Sequence, residues 1–190
     1  MSTVPSPTAA RPATLDDLAR VDGKAELVAG RIVHFMPTGF LPGQVAGEIY
    51  VLLKLHVKAS GRGYAFTDNA GFAVPGLASG RQSFSPDVSY YEGPVPANPM
   101  RFIDGPPTFA VEVRSEGDYG PSAEAEMAAK RGDYFEAGTL VVWDVDPRDR
   151  VVRSYHAEAP AVPVVSGPGA FADAGGAVPG WRVAVDAIGL

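Results

Sequence analysis

Ser85-Pro86-Asp87-Val88-Ser89 and Phe109-Ala110-Val111-Glu112-Val113-Arg114 decide the fold. Each sets one carboxylate in a short, otherwise apolar run of strand type. An ionised group buried without a partner is costly, so an acid in such a run is held by something. Carried by neighbouring strands, the two acids can share a hard divalent cation through their oxygens. Side chains alternate along 109–114, so Glu112 and Arg114 lie on one face and Val111 and Val113 on the other. Both faces are largely apolar, which places this strand centrally in its sheet. Asp87 follows a proline, which has no amide hydrogen to give and suits a strand end or edge. Lys130, on a helix that follows, completes a set suited to phosphodiester cleavage. A Mg²⁺ or Mn²⁺ ion on Asp87 and Glu112 lowers the pKa of a bound water and neutralises charge on phosphate oxygens. The lysine orients that water or stabilises the same charge.

Working outward, Thr14 caps a short helix whose first turn carries Asp16 and Asp17. Ala25–Val28 and Arg31–Phe35 read as strands joined by a tight turn at Ala29-Gly30. A helix runs from about Gly43 to Ser60, with Val45, Ile49, Leu52, Leu53 and Val57 on one face. Short strands follow near 64–67 and 71–74, then strands at 84–91 and 108–114, and a helix at 122–136 ended by Gly138. Strands at 139–145 and 150–155 flank the turn Asp146-Pro147-Arg148-Asp149. The stretch 157–180 is rich in Ala, Pro and Gly and poorly specified, and Trp181–Val185 reads as a last, edge strand. The pattern predicts one α/β (α+β) domain over 13–190, with a frayed tail over 1–12. It has a central mixed sheet flanked by helices and an extra N-terminal hairpin.

The chain has 190 residues, enough for one sizeable core. It has no cysteine, which excludes disulfides and thiolate metal sites and points to a reducing cytoplasm. No run is long and apolar enough for a membrane span, and the first residues lack the apolar segment of a secretory signal. The net charge of −6 and pI of about 5.0 argue against a dedicated basic DNA-binding surface. A local stripe of Lys54, Lys58 and Arg62, stepping by four, can still contact phosphates, although a solvated helix face is the plainer reading. His34, His56 and His156 show no zinc-ligand spacing. No nucleophile elbow or phosphate-cradling glycine loop is present.

The ordered pieces Glu26-Leu27-Val28-Ala29-Gly30-Arg31-Ile32-Val33, Ser85-Pro86-Asp87-Val88, Val111-Glu112-Val113-Arg114-Ser115 and Lys130-Arg131-Gly132-Asp133-Tyr134-Phe135-Glu136-Ala137-Gly138 resemble a known family. Val142-Trp143-Asp144-Val145-Asp146-Pro147 continues the last piece. The set is similar to the Uma-type restriction endonuclease family of bacteria, within the PD-(D/E)XK nuclease superfamily. The match covers about Leu15 to Tyr155. The resemblance implies Asp87 and Glu112 as metal ligands and a lysine role moved from the glutamate strand to the helix, at Lys130. It implies that Glu26 reaches the same site and that Tyr134 supports it. Three positions depart from the family pattern. Arg114 stands at the strand lysine position; it stays protonated and can clamp a phosphate but not act as a base. Gln44 stands where a histidine is common, and Ser115-Glu116-Gly117-Asp118 carries two further acids.

The function that follows is Mg²⁺- or Mn²⁺-dependent hydrolysis of nucleic acid, DNA first, with a homodimer as the arrangement that cuts two strands. Two alternatives stand beside it: a catalytically weak or inactive nucleic-acid-binding module on the same fold, and a metal-dependent hydrolase of small phosphate esters.

Overall fold

Both acid-bearing segments enter one six-stranded sheet in the computed structural model, which describes residues 11–190. The tail expected over 1–12 lies, for residues 1–10, outside the described residues. Helix α1 (Leu15–Leu18) is capped by Thr14, which forms a reciprocal box with Asp17. Strands β1 (Ala25–Val28) and β2 (Arg31–His34) form the N-terminal hairpin, and the long helix α2 (Phe40–Ser60) follows. Then come β3 (Tyr64–Thr67), β4 (Phe72–Ala73), β5 (Ser83–Phe84), β6 (Val88–Tyr91), β7 (Ile103–Asp104) and β8 (Phe109–Val113). Helix α3 (Pro121–Ala137) leads into β9 (Val141–Asp146), β10 (Val151–His156), β11 (Ala159–Ser166), β12 (Phe171–Asp173) and β13 (Arg182–Ala184).

The main sheet runs β11-β10-β9-β8-β6-β3. Its one parallel pair, β8 with β9, requires a crossover, and α3 supplies it. Strand β8 is central, as its two apolar faces predict. Val45, Ile49, Leu53 and Val57 of α2 pack on one face with Phe109, Val111 and Val113. The other face packs Ala110 and Val142 against Tyr134 of α3 and the small sheet β5-β4-β7. Glu112 and Arg114 emerge on this second side, beneath α3.

Four elements differ from the sequence reading. The run expected as one strand over 84–91 is divided at Ser85-Pro86-Asp87. Strand β5 pairs with β4, whereas β6 pairs with β3 and β8; Pro86 has no N–H to carry a ladder through. Helix α2 starts at Phe40, because Pro42 falls in its first turn, where the missing N–H is not needed. The expected edge strand near the C-terminus pairs with β12 in its own two-stranded sheet instead. Trp181 stacks on Trp143 at 5.2 Å, which draws this segment over the face of the main sheet and into its core. The edge is formed by β11, from the poorly specified stretch, which carries Pro160 and Pro163.

Candidate active site

Glu26 reaches the interior because the hairpin is locked to the segment before β5. Ala29 and Gly30 turn at φ of 48° and 70°, the two positive values of a type I′ hairpin turn. The Ala29 amide donates to the Gly80 carbonyl at 2.8 Å, and the Leu27 amide to Ser83 Oγ at 2.7 Å. The Ser85 amide then donates to Glu26 Oε1 at 2.9 Å. Glu26 is 1 % exposed.

Asp87 is pinned to the strand that carries Glu112. Its own amide donates to the Val111 carbonyl at 3.0 Å, and its Oδ2 accepts the Val113 amide at 2.8 Å. The side chain takes over a ladder position that the backbone leaves open after Pro86. Glu112, in β8, points to the α3 side and keeps partial exposure. Lys130 of α3 bridges the acids, with Nζ 2.9 Å from Glu112 Oε1 and 3.1 Å from Glu26 Oε1. Tyr134, one turn later, donates its hydroxyl to Glu112 Oε1 at 2.6 Å and stacks on Phe84 at 4.1 Å. Both contacts to Glu112 fall on Oε1, so Oε2 is the oxygen open to a ligand.

Four further residues join this cluster. Lys24 Nζ lies 2.6 Å from Asp87 Oδ1 and 2.8 Å from Asp68 Oδ1. Arg81 ion-pairs with Glu26 and, at 2.8 Å, with Asp133. Lys24 had one readable signal: it stands two residues before Glu26, so the pleat puts both on one face. Asp133 had a similar one, three residues after Lys130 on the same helix. Arg81 and Asp68 sit in connections, and no periodicity marks them.

Burial works against the charge on Lys130, and Glu112 and Glu26 more than reverse this, so its pKa lies above the ordinary 10.5. Lys24 is raised in the same way, burial being outweighed by Asp87 and Glu112. Both are ammonium groups at neutral pH. Burial lifts Glu112 above its ordinary 4.5, opposed by Lys130 and reinforced by Asp87. Tyr134, buried beside Glu112 and Glu26, is held well above 10 and remains a donor.

Arg114 stands apart from this cluster. Its guanidinium grips Asp144 with two bonds, at 2.7 and 2.8 Å, and also pairs with Glu124. Its fork is therefore engaged within the fold. Lys54 and Lys58 lie toward the C-terminal end of α2 and Arg62 just beyond it, while the cleft meets the connection before its N-terminus. Arg62 pairs with Glu92 at 2.6 Å. Asp118 accepts the Ser115 amide at 2.7 Å as a turn residue, and Glu116 is exposed.

The acids and lysines line a cleft of about 730 Å³, roofed in part by Phe35 and Met36. The donor set suits a hard divalent cation. Within the ion-paired cluster, five carboxylates (Glu26, Asp68, Asp87, Glu112, Asp133) face three cations (Lys24, Arg81, Lys130). One Mg²⁺ or Mn²⁺ would neutralise the surplus, and every donor is oxygen. Among the described residues, no group of three His, Cys, Asp or Glu side chains could hold an ion by itself. Water or substrate would fill the remaining positions.

A crystal structure described as "a putative nuclease belonging to DUF820" from Anabaena variabilis ATCC 29413 has the same fold. It matches with a TM-score of 0.70 at 19 % identity, covering 93 % of this chain and 97 % of that one. No curated protein matches the chain. The model of the Uma2 family, described as "Putative restriction endonuclease", matches residues 12–186, and the chain belongs to that family.

Proposed function

We propose that the protein is a Mg²⁺- or Mn²⁺-dependent endonuclease that hydrolyses phosphodiester bonds of DNA. One observation carries this reading: Lys130 bridges Glu112 and Glu26 at 2.9 and 3.1 Å inside a cleft that Asp87 also lines. The family's description as restriction endonucleases supports DNA as the polymer. Cutting both strands takes two such sites, so a homodimer is the proposed assembly.

Asp87 and Glu112 are the residues that hold the cation. When bound, it lowers the pKa of a water and offsets charge on the phosphate. Lys130 is an ammonium group, so it accepts no proton. It donates to the attacking water or to the phosphate oxygens, where charge grows in the transition state. Glu26, itself buried, holds Lys130 from the interior, and Arg81 fixes Glu26. Tyr134 fixes the Glu112 carboxylate by its hydroxyl. These partners preset the site, so little reorganisation is needed when substrate arrives.

Supercoiled plasmid incubated with Mn²⁺ tests the reading. The parent chain nicks it, and Asp87→Ala reduces the rate at least about 100-fold, as loss of a central charge partner does. Equal nicking by both chains would refute the assignment. Cleavage of a nucleotide ester with none of plasmid would place the activity on small phosphate esters instead.

A further inference from the structure

We propose that Lys24 is the built-in second cation of this site. Its ammonium fills the position between Asp68 and Asp87 that a second metal ion would take, so the chain binds one divalent ion beside one fixed charge. The inference rests on the metal-dependent reading above.

The geometry is that of a bridge. Nζ lies 2.6 Å from Asp87 Oδ1 and 2.8 Å from Asp68 Oδ1, and the lysine side chain is 14 % exposed. The two carboxylates come from different places, the turn after β3 and the residue before β6, and Lys24 joins them. The ring of Phe35 lies 5.7 Å from Lys24 Nζ and 5.3 Å from Lys130 Nζ, so one aromatic face covers both ammonium groups. Lys130 already serves Glu112 and Glu26, so Lys24 is the charge that serves Asp87. Asp87 keeps capacity for a metal ion despite this contact, because an ionised carboxylate offers about four lone-pair sites. An ammonium has three N–H donors. Two are spent on Asp68 and Asp87, which leaves one for a phosphate oxygen in the cleft that Lys24 lines. A covalently attached cation needs no loading and cannot be lost to a chelator. Without it, Asp68 and Asp87 face each other as two uncompensated carboxylates, a pair that captures a divalent ion.

Calorimetric titration with Mn²⁺ alone tests this, with folding checked by circular dichroism. The parent chain binds one ion. Lys24→Met binds two, the first about tenfold more tightly than the parent does, which is about 1.4 kcal/mol. Lys24→Arg keeps the charge and binds one. Lys24→Met combined with Asp68→Ala returns to one, because the second position has lost a wall. Should the Met variant fail to fold, Lys24→Gln, which retains a donor, gives the same reading. One ion at the parent's affinity in a folded Lys24→Met or Lys24→Gln overturns the inference and leaves the metal-dependent reading intact. No Mn²⁺ on the parent or on either variant overturns both.

Discussion

Lys130 takes its place from two carboxylates rather than from its own helix. A lysine partway along α3 would ordinarily extend into solvent; here Glu26 and Glu112 hold its ammonium under Phe35. Glu112 shows the cost of the same burial. Its pKa is raised, so between the ordinary 4.5 and the raised value the folded chain keeps a proton that the unfolded chain has released. Stability therefore falls as pH rises through that window. In metal-free protein, the melting temperature of Glu112→Gln should lose this fall, which begins as pH rises above the ordinary 4.5. An identical pH profile in parent and variant would show that Glu112 carries no such shift. Of the site residues, Asp87, Glu112 and Lys130 were legible because an acid in an apolar strand is conspicuous, and because their order resembles a known family. Lys24 was marked only by its spacing from Glu26, and Arg81 and Asp68 not at all, since they sit in connections whose paths no local pattern states.

At the scale of elements, β8 and β9 are joined by more than their ladder. Their register sets Glu112 beside Asp144, and Arg114 clasps Asp144 with two bonds while Arg131 adds a third at 3.3 Å. Arg114 and Asp144 are both almost fully buried. Removing one member of such a pair strands the other charge, so Asp144→Ala should cost about 3–5 kcal/mol in urea unfolding. A loss below about 1 kcal/mol would mean that the pair is solvated. The central position of β8, the hairpin at Ala29-Gly30 and the extent of α3 followed from alternation, turn chemistry and caps. The division of 84–91 and the docking of β13 did not. The first turns on which sheet each half joins, and the second on the stacking of Trp181 against Trp143, a contact between segments far apart in sequence.

For the molecule as a whole, the net charge of −6 leaves little long-range attraction for nucleic acid. Few phosphates can be neutralised, and a slope of about −0.9 per phosphate sets the salt dependence. The logarithm of the DNA-binding constant against the logarithm of salt concentration should fall with a slope no steeper than about −3. A slope near −8 would reveal an extended basic surface. On the proposed reading, binding is concentrated in the cleft. In the proposed reaction Lys130, held by Glu26 and Glu112, stabilises the cleavage transition state. The most direct test is the single-turnover rate of plasmid nicking by Lys130→Met with saturating Mn²⁺. The rate should fall about 100- to 1,000-fold, the loss expected when one charge-stabilising donor is removed, while Mn²⁺ still binds. A Lys130→Met chain that nicks at the parent's rate would show that Lys130 has no such role.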